Sequence, residues 1–127
     1  LGEFALDTLR RHAISLDHVC RSRTRATSQT LVINVVGEDR RFIHDRGANE
    51  EFSAADITLD PFPNARILYV GGMFLMNALS ADELANVFRL AKQRGMTTIL
   101  DVVTPEPQDY ETPLRTLLPQ VDFFLPN

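Results

Sequence analysis

The chain has 127 residues, 44% of them hydrophobic and 24% charged, with a net charge of −4, which suits one ordinary domain folded in water. Its densest basic stretch, Arg21, Arg23 and Arg25 with Arg10 and Arg11 upstream, gathers too little charge on one face for nucleic-acid binding. No apolar run approaches the roughly 20 residues that cross a bilayer, and the single cysteine, Cys20, excludes an internal disulfide and suits a reducing cytoplasm.

In chain order, residues 3–12 read as a helix. Phe4, Ala5, Leu6 and Leu9 recur at helical spacing, and Arg10, Arg11 and His12 place cations in the last turn, where the helix dipole favours them. Ile14 to Val19 links to a β-branched stretch, Thr27 to Val36, in which Leu31, Ile33 and Val35 alternate with Val32, Asn34 and Val36. Gly37-Glu38-Asp39 predicts a hairpin turn and Arg41 to His44 the returning strand, giving a small antiparallel ribbon over residues 27–44.

The pattern changes near residue 60. Asp60-Pro61-Phe62-Pro63-Asn64 is a loop, because proline fixes φ and removes a donor. Ile67 to Val70 is a short continuous apolar run, as in a buried parallel strand, and Gly71-Gly72 is expected to end it. Ser80 with Glu83 forms a capping-box pattern, Leu84, Val87, Phe88 and Ala91 give the following helix an apolar face, and Gly95 is placed to cap it. Thr97 to Leu100 is a second strand that ends at Asp101. Thr112-Pro113 starts another helix, and Val121 to Leu125 is a third strand. Strand, helix, strand, helix, strand over residues 60–127 predicts a parallel sheet with right-handed crossovers, and so an α/β fold.

Several residues in this frame could carry chemistry. Asp101 falls at a strand's carboxyl end, the side on which open α/β sheets place ligands. Gly71 and Gly72 would allow close backbone approach, but Gly71-Gly72-Met73-Phe74-Leu75-Met76 lacks the G-x-G-x-x-G spacing of a dinucleotide site, and Met73 to Met76 reads as core. Alternation puts Ile43 and Asp45 on one face of the ribbon and His44 on the other, and Asn34 is a further polar candidate. His12, His18 and His44 share no metal-ligand spacing with one another or with Cys20, so no metal centre is expected. No G-x-S-x-G nucleophile motif occurs.

The order of these pieces resembles the ribokinase-like (PfkB-type) carbohydrate kinase family. The phrases that carry the resemblance are Ala13-Ile14-Ser15-Leu16-Asp17-His18-Val19, the Thr-rich strand from Thr27 to Ile33, Gly47-Ala48-Asn49 after the ribbon, the polar stretch Phe52 to Ile57, and Asp122-Phe123-Phe124-Leu125-Pro126-Asn127 at the end. The resemblance implies a single kinase domain over residues 1–127, in which the ribbon is a β lid over the sugar. It further implies transfer of the γ-phosphoryl group of ATP, with Mg²⁺, to a sugar or nucleoside hydroxyl. Asn127 would then lie near the phosphates and Mg²⁺, and paired lids would make a homodimer. Set against the family, these residues begin after its first Gly-Gly motif and stop before its Gly-x-Gly-Asp base motif. The chain is therefore expected to be truncated at both ends and inactive alone. A non-catalytic, kinase-derived module that binds a sugar or a partner through its lid is the alternative.

Overall fold

The computed structural model describes residues 1–105 and 108–126. The chain divides into two units, Leu1–Glu50 and Glu51–Asn127.

In the first unit, α1 spans Gly2–Arg11, with Glu3 in its first turn and Arg10 and Arg11 in its last, the charge order that complements the helix dipole. Leu6 is its buried residue. The arginines that follow are drawn into ion pairs: Arg21 with Glu3 at 2.6 Å and Arg25 with Glu50 at 2.7 Å. Strands β1 (Gln29–Ile33) and β2 (Arg41–Asp45) pair antiparallel, with Leu31 opposite Ile43. β1 is shorter than the alternation predicts. Thr27 and Ser28 precede it, and Asn34 to Val36 lie beyond it in the connection. The ladder closes at the Ile33–Arg41 pair, so the turn takes up more residues than Gly37-Glu38-Asp39. The chain leaves β2 through Gly47 at φ 49°, where a Cβ would stand 2.4 Å from the Ala26 carbonyl oxygen and 2.8 Å from the Ser28 nitrogen. Only glycine fits there without movement of backbone.

The second unit is built on β3 (Ile67–Met73), β4 (Thr97–Val102) and β5 (Phe123–Leu125), all parallel, in the order β3-β4-β5. Gly71-Gly72 does not end β3. Val70 pairs with Leu100 and Met73 with Val102, so β3 carries one extra residue at the glycine pair: a bulge, with Gly72 at φ 73°. The bulge resets the alternation, so that Val70 and Met73 both face the core although they are three apart. A count of period two could not anticipate that.

Helices α2 (Ala81–Gln93) and α3 (Glu111–Leu117) cross over between the strands. Ser80 caps α2: its hydroxyl accepts from the Glu83 nitrogen at 3.3 Å and donates to the Glu83 carboxylate at 2.7 Å. Gly95, at φ 76°, ends it. α3 starts one residue before Thr112. The Asp109 carboxylate accepts from the Thr112 nitrogen at 3.1 Å, and its bonding to Thr112 lowers its pKa. Leu84, Val87 and Phe88 of α2 and Leu117 of α3 pack with Val70, Met73, Leu100 and Val102 into one apolar core on one face of the sheet. Thr98, fully buried, is the polar member of that layer among the described residues.

Candidate functional site

The alternation that buries Thr98, Leu100 and Val102 turns Ile99 and Asp101 to the other face of β4, beside Tyr69 and Gly71 of β3 and Phe123 and Leu125 of β5. This face is open: Tyr69 is 54% exposed, Phe123 59% and Leu125 47%.

Asp101 sits just before the end of β4, paired with Leu125 of β5, after which the sequence runs Pro126-Asn127. The strand extends one residue past Asp101 to Val102, so the carboxylate lies within the last pleat of the strand instead of capping it. The Tyr69 hydroxyl donates to Asp101 Oδ2 at 2.6 Å. That bond, then burial, then the charge of Asp101 hold the Tyr69 phenol above its ordinary pKa, because ionising it would put a second negative charge beside the carboxylate. Among the described residues no lysine or arginine pairs with Asp101. A carboxylate without a cationic side chain beside it, at the carboxyl edge of a parallel sheet, suits a polyphosphate accompanied by a cation.

At the same edge the backbone is strained. Phe74 follows the bulge at φ 75°, a left-handed conformation that costs a bulky residue about 1–3 kcal/mol. Its ring packs on Tyr110 with centroids 4.8 Å apart, and the Leu75 nitrogen donates to the Gly72 carbonyl at 3.0 Å to close the turn. Met73 is buried, as its reading as core requires, and Phe74 and Met76 pack against the same core.

The candidates Asn34, Ile43 and Asp45 belong to the first unit. Ile43 and Asp45 line a groove of about 640 Å³ between the start of α1 and the ribbon, with Leu1, Phe4, Leu31 and His44. His44 Nδ1 is hydrogen-bonded to the Thr30 hydroxyl at 2.7 Å, and its Nε2 is buried without a hydrogen-bond partner among the described residues. Asp45 acts within its own loop, where its Oδ1 accepts from the Gly47 nitrogen at 3.0 Å and fixes the turn out of β2. Asn34 lies outside β1, and Asn127 lies outside the described residues. Among the described residues no group of three or more His, Cys, Asp or Glu side chains is gathered to hold a metal, and no helix is long and apolar enough to cross a membrane.

Sequence reasoning missed Tyr69. Its signal was present: Tyr69 and Gly71 are two apart in a strand and so share a face, with an acidic residue near the end of the neighbouring strand. It also missed the tie made by Asp122, whose Oδ2 accepts from the Thr98 nitrogen at 2.9 Å while its Oδ1 pairs with Lys92 at 2.7 Å. Nothing in the local pattern signals a contact between residues so far apart in the chain.

A family model described as pfkB family carbohydrate kinase matches residues 1–127. No curated protein matches the chain. Among solved structures, fructokinase from Xylella fastidiosa is similar with a TM-score of 0.79 at 21% identity, over 98% of this chain and 42% of its own. The same enzyme with bound ATP aligns with a TM-score of 0.79 at 21% identity, over 98% of this chain and 41% of its own. Ribokinase from Giardia lamblia aligns with a TM-score of 0.71 at 16% identity, over 99% of this chain and 38% of its own. The chain therefore spans about two fifths of the length of these structures. The likeness gives the ribokinase-like fold: a parallel sheet flanked by helices with a small antiparallel ribbon.

Proposed function

The chain belongs to the pfkB family of carbohydrate kinases, and we propose that it forms the central part of a longer enzyme that transfers the γ-phosphoryl group of ATP to a carbohydrate hydroxyl. The observation that carries this reading is the pairing of Asp101 with Leu125, which sets a carboxylate beside the strand that leads into Pro126-Asn127. ATP would lie along this carboxyl edge, with Asp101 and Asn127 near its phosphates. Phosphoryl transfer depends on positioning and on neutralising charge, and Mg²⁺ bound with the nucleotide supplies the neutralisation. The attacking hydroxyl also needs a base. No Gly-x-Gly-Asp run occurs in these 127 residues, so their part is to bind and orient, and alone they should turn over nothing.

In this reading the ribbon closes over the sugar, and Ile43 offers it an apolar surface. Leu31, Val32, Phe42 and Ile43 are exposed on the two faces of the ribbon, which supports pairing with a second copy's ribbon and hence a homodimer. A soluble sugar and ATP are both met in the cytoplasm, where we place the enzyme.

The test uses the kinase that contains this chain. Replacing Asn127 by Ala should raise the KM for Mg-ATP by about tenfold and leave the KM for sugar unchanged. Unaltered use of Mg-ATP with a raised sugar KM would show that Asn127 belongs to the sugar's side.

A further inference from the structure

Tyr69 and Asp101 do not sit directly opposite each other. Tyr69 pairs with Ile99, so its phenol must lean along the strand toward the carboxyl edge to reach Asp101 Oδ2 at 2.6 Å. Such diagonal pairs are within reach of long side chains on one sheet face. The ring leans over Gly71, where a Cβ would meet Tyr69 Cε1 at 2.7 Å and the hydroxyl oxygen at 2.8 Å. Gly71 is thus the empty seat that lets the phenol lie flat on the strand and touch the carboxylate.

The sheet does not need this bond for its own cohesion. β3 and β4 are already joined by a parallel ladder from Ile67–Thr97 to Met73–Val102, and the pair lies on the open face, where a hydrogen bond adds little to stability. Its effect falls on Asp101. A neutral hydroxyl fixes the direction of one carboxylate oxygen without cancelling the charge, as a lysine or arginine would. Oδ1 has no hydrogen-bond or ion-pair partner among the described residues. Held this way, the carboxylate can act on the cation that accompanies a phosphate or on a ribose hydroxyl, with no rotamer search when the ligand arrives.

Building on the reading of Asp101 as a group beside the nucleotide phosphates, we propose that Tyr69, seated on Gly71, is the positioning residue that presents Asp101 to the nucleotide.

The test is steady-state kinetics of the kinase containing this chain, as Y69F, G71A, D101N and Y69F/D101N. Y69F keeps the ring and removes only the hydroxyl. G71A keeps the hydroxyl and pushes the ring off its seat. Each should raise the KM for Mg-ATP about fivefold, the loss of one charge-assisted hydrogen bond, and leave the sugar KM in place. Adding Y69F to D101N should bring no further loss, because the hydroxyl acts only through that carboxylate. If D101N raises the KM for Mg-ATP while Y69F and G71A do not, the positioning role is overturned and the nucleotide reading stands. If Y69F adds its full effect on top of D101N, Tyr69 acts independently and the proposal is likewise overturned. If none of the variants alters the use of Mg-ATP, the nucleotide reading of Asp101 falls, and the role of Tyr69 falls with it.

Discussion

Asp122 stands just before β5 and is bonded from two directions. The Lys92 ammonium at 2.7 Å is the largest influence and the Thr98 backbone nitrogen at 2.9 Å the next, and together they hold its pKa down at about 2 against an ordinary 3.8. A depressed folded-state pKa means that the carboxylate's contribution is fully present above the unfolded value and is lost as pH falls through the folded one. The stability of the second unit should therefore drop between pH 3.8 and about 2, and D122N should flatten that part of the profile in urea melts at stepped pH. An unchanged acid limb in D122N would assign the acid sensitivity to other groups. Thr98 completes the tie: its hydroxyl donates to the Gln120 carbonyl at 2.7 Å from a fully buried position. Thr98→Val keeps the shape and strands that carbonyl, so it should cost about 1–3 kcal/mol in the same melts.

Between elements, the two sheets differ in what supports them. β3, β4 and β5 have helices packed on one face, and Leu84, Phe88, Leu100 and Leu117 between them are fully buried. Every residue of β1 is exposed, and in β2 only His44 is half-buried. A two-stranded ribbon with so little cover opens easily. In hydrogen exchange on the 127-residue chain, amides from Leu31 to Ile33 should exchange much faster than those from Leu68 to Val70. Equal protection would mean that the ribbon is covered, as by a second copy, and a dilution series would then remove the protection. Gly47→Ala should speed exchange in the ribbon further, because its Cβ meets the backbone of Ala26 and Ser28 and its φ of 49° suits glycine.

Across the whole molecule, the pattern of apolar runs and caps was enough to place the helices and the parallel strands, because burial on one face leaves a periodic record in the sequence. The capping box at Ser80 and the glycine stop at Gly95 were legible for the same reason: each is a local interaction between near neighbours. The bulge at Gly71-Gly72 was not, since two glycines read equally as an end or as an irregularity, and only the partner strand decides. The site was legible in outline. Asp101 could be placed near a strand end from sequence, whereas its bond to Tyr69 depends on register between strands. Asp45 could be singled out as a polar residue of the ribbon, but its bond from the Gly47 nitrogen, a role that short polar side chains often take beside glycine, depends on the turn's geometry.

Phosphoryl transfer itself gives the most direct test. The longer protein proposed to contain this chain, with Mg-ATP and a panel that includes fructose, ribose and nucleosides, should form ADP and a phosphorylated sugar together, with turnover of at least one carbohydrate. The isolated 127 residues under the same conditions should form neither. ADP formation that no acceptor stimulates, or no turnover of any carbohydrate by the longer chain, would contradict the assignment as a sugar kinase.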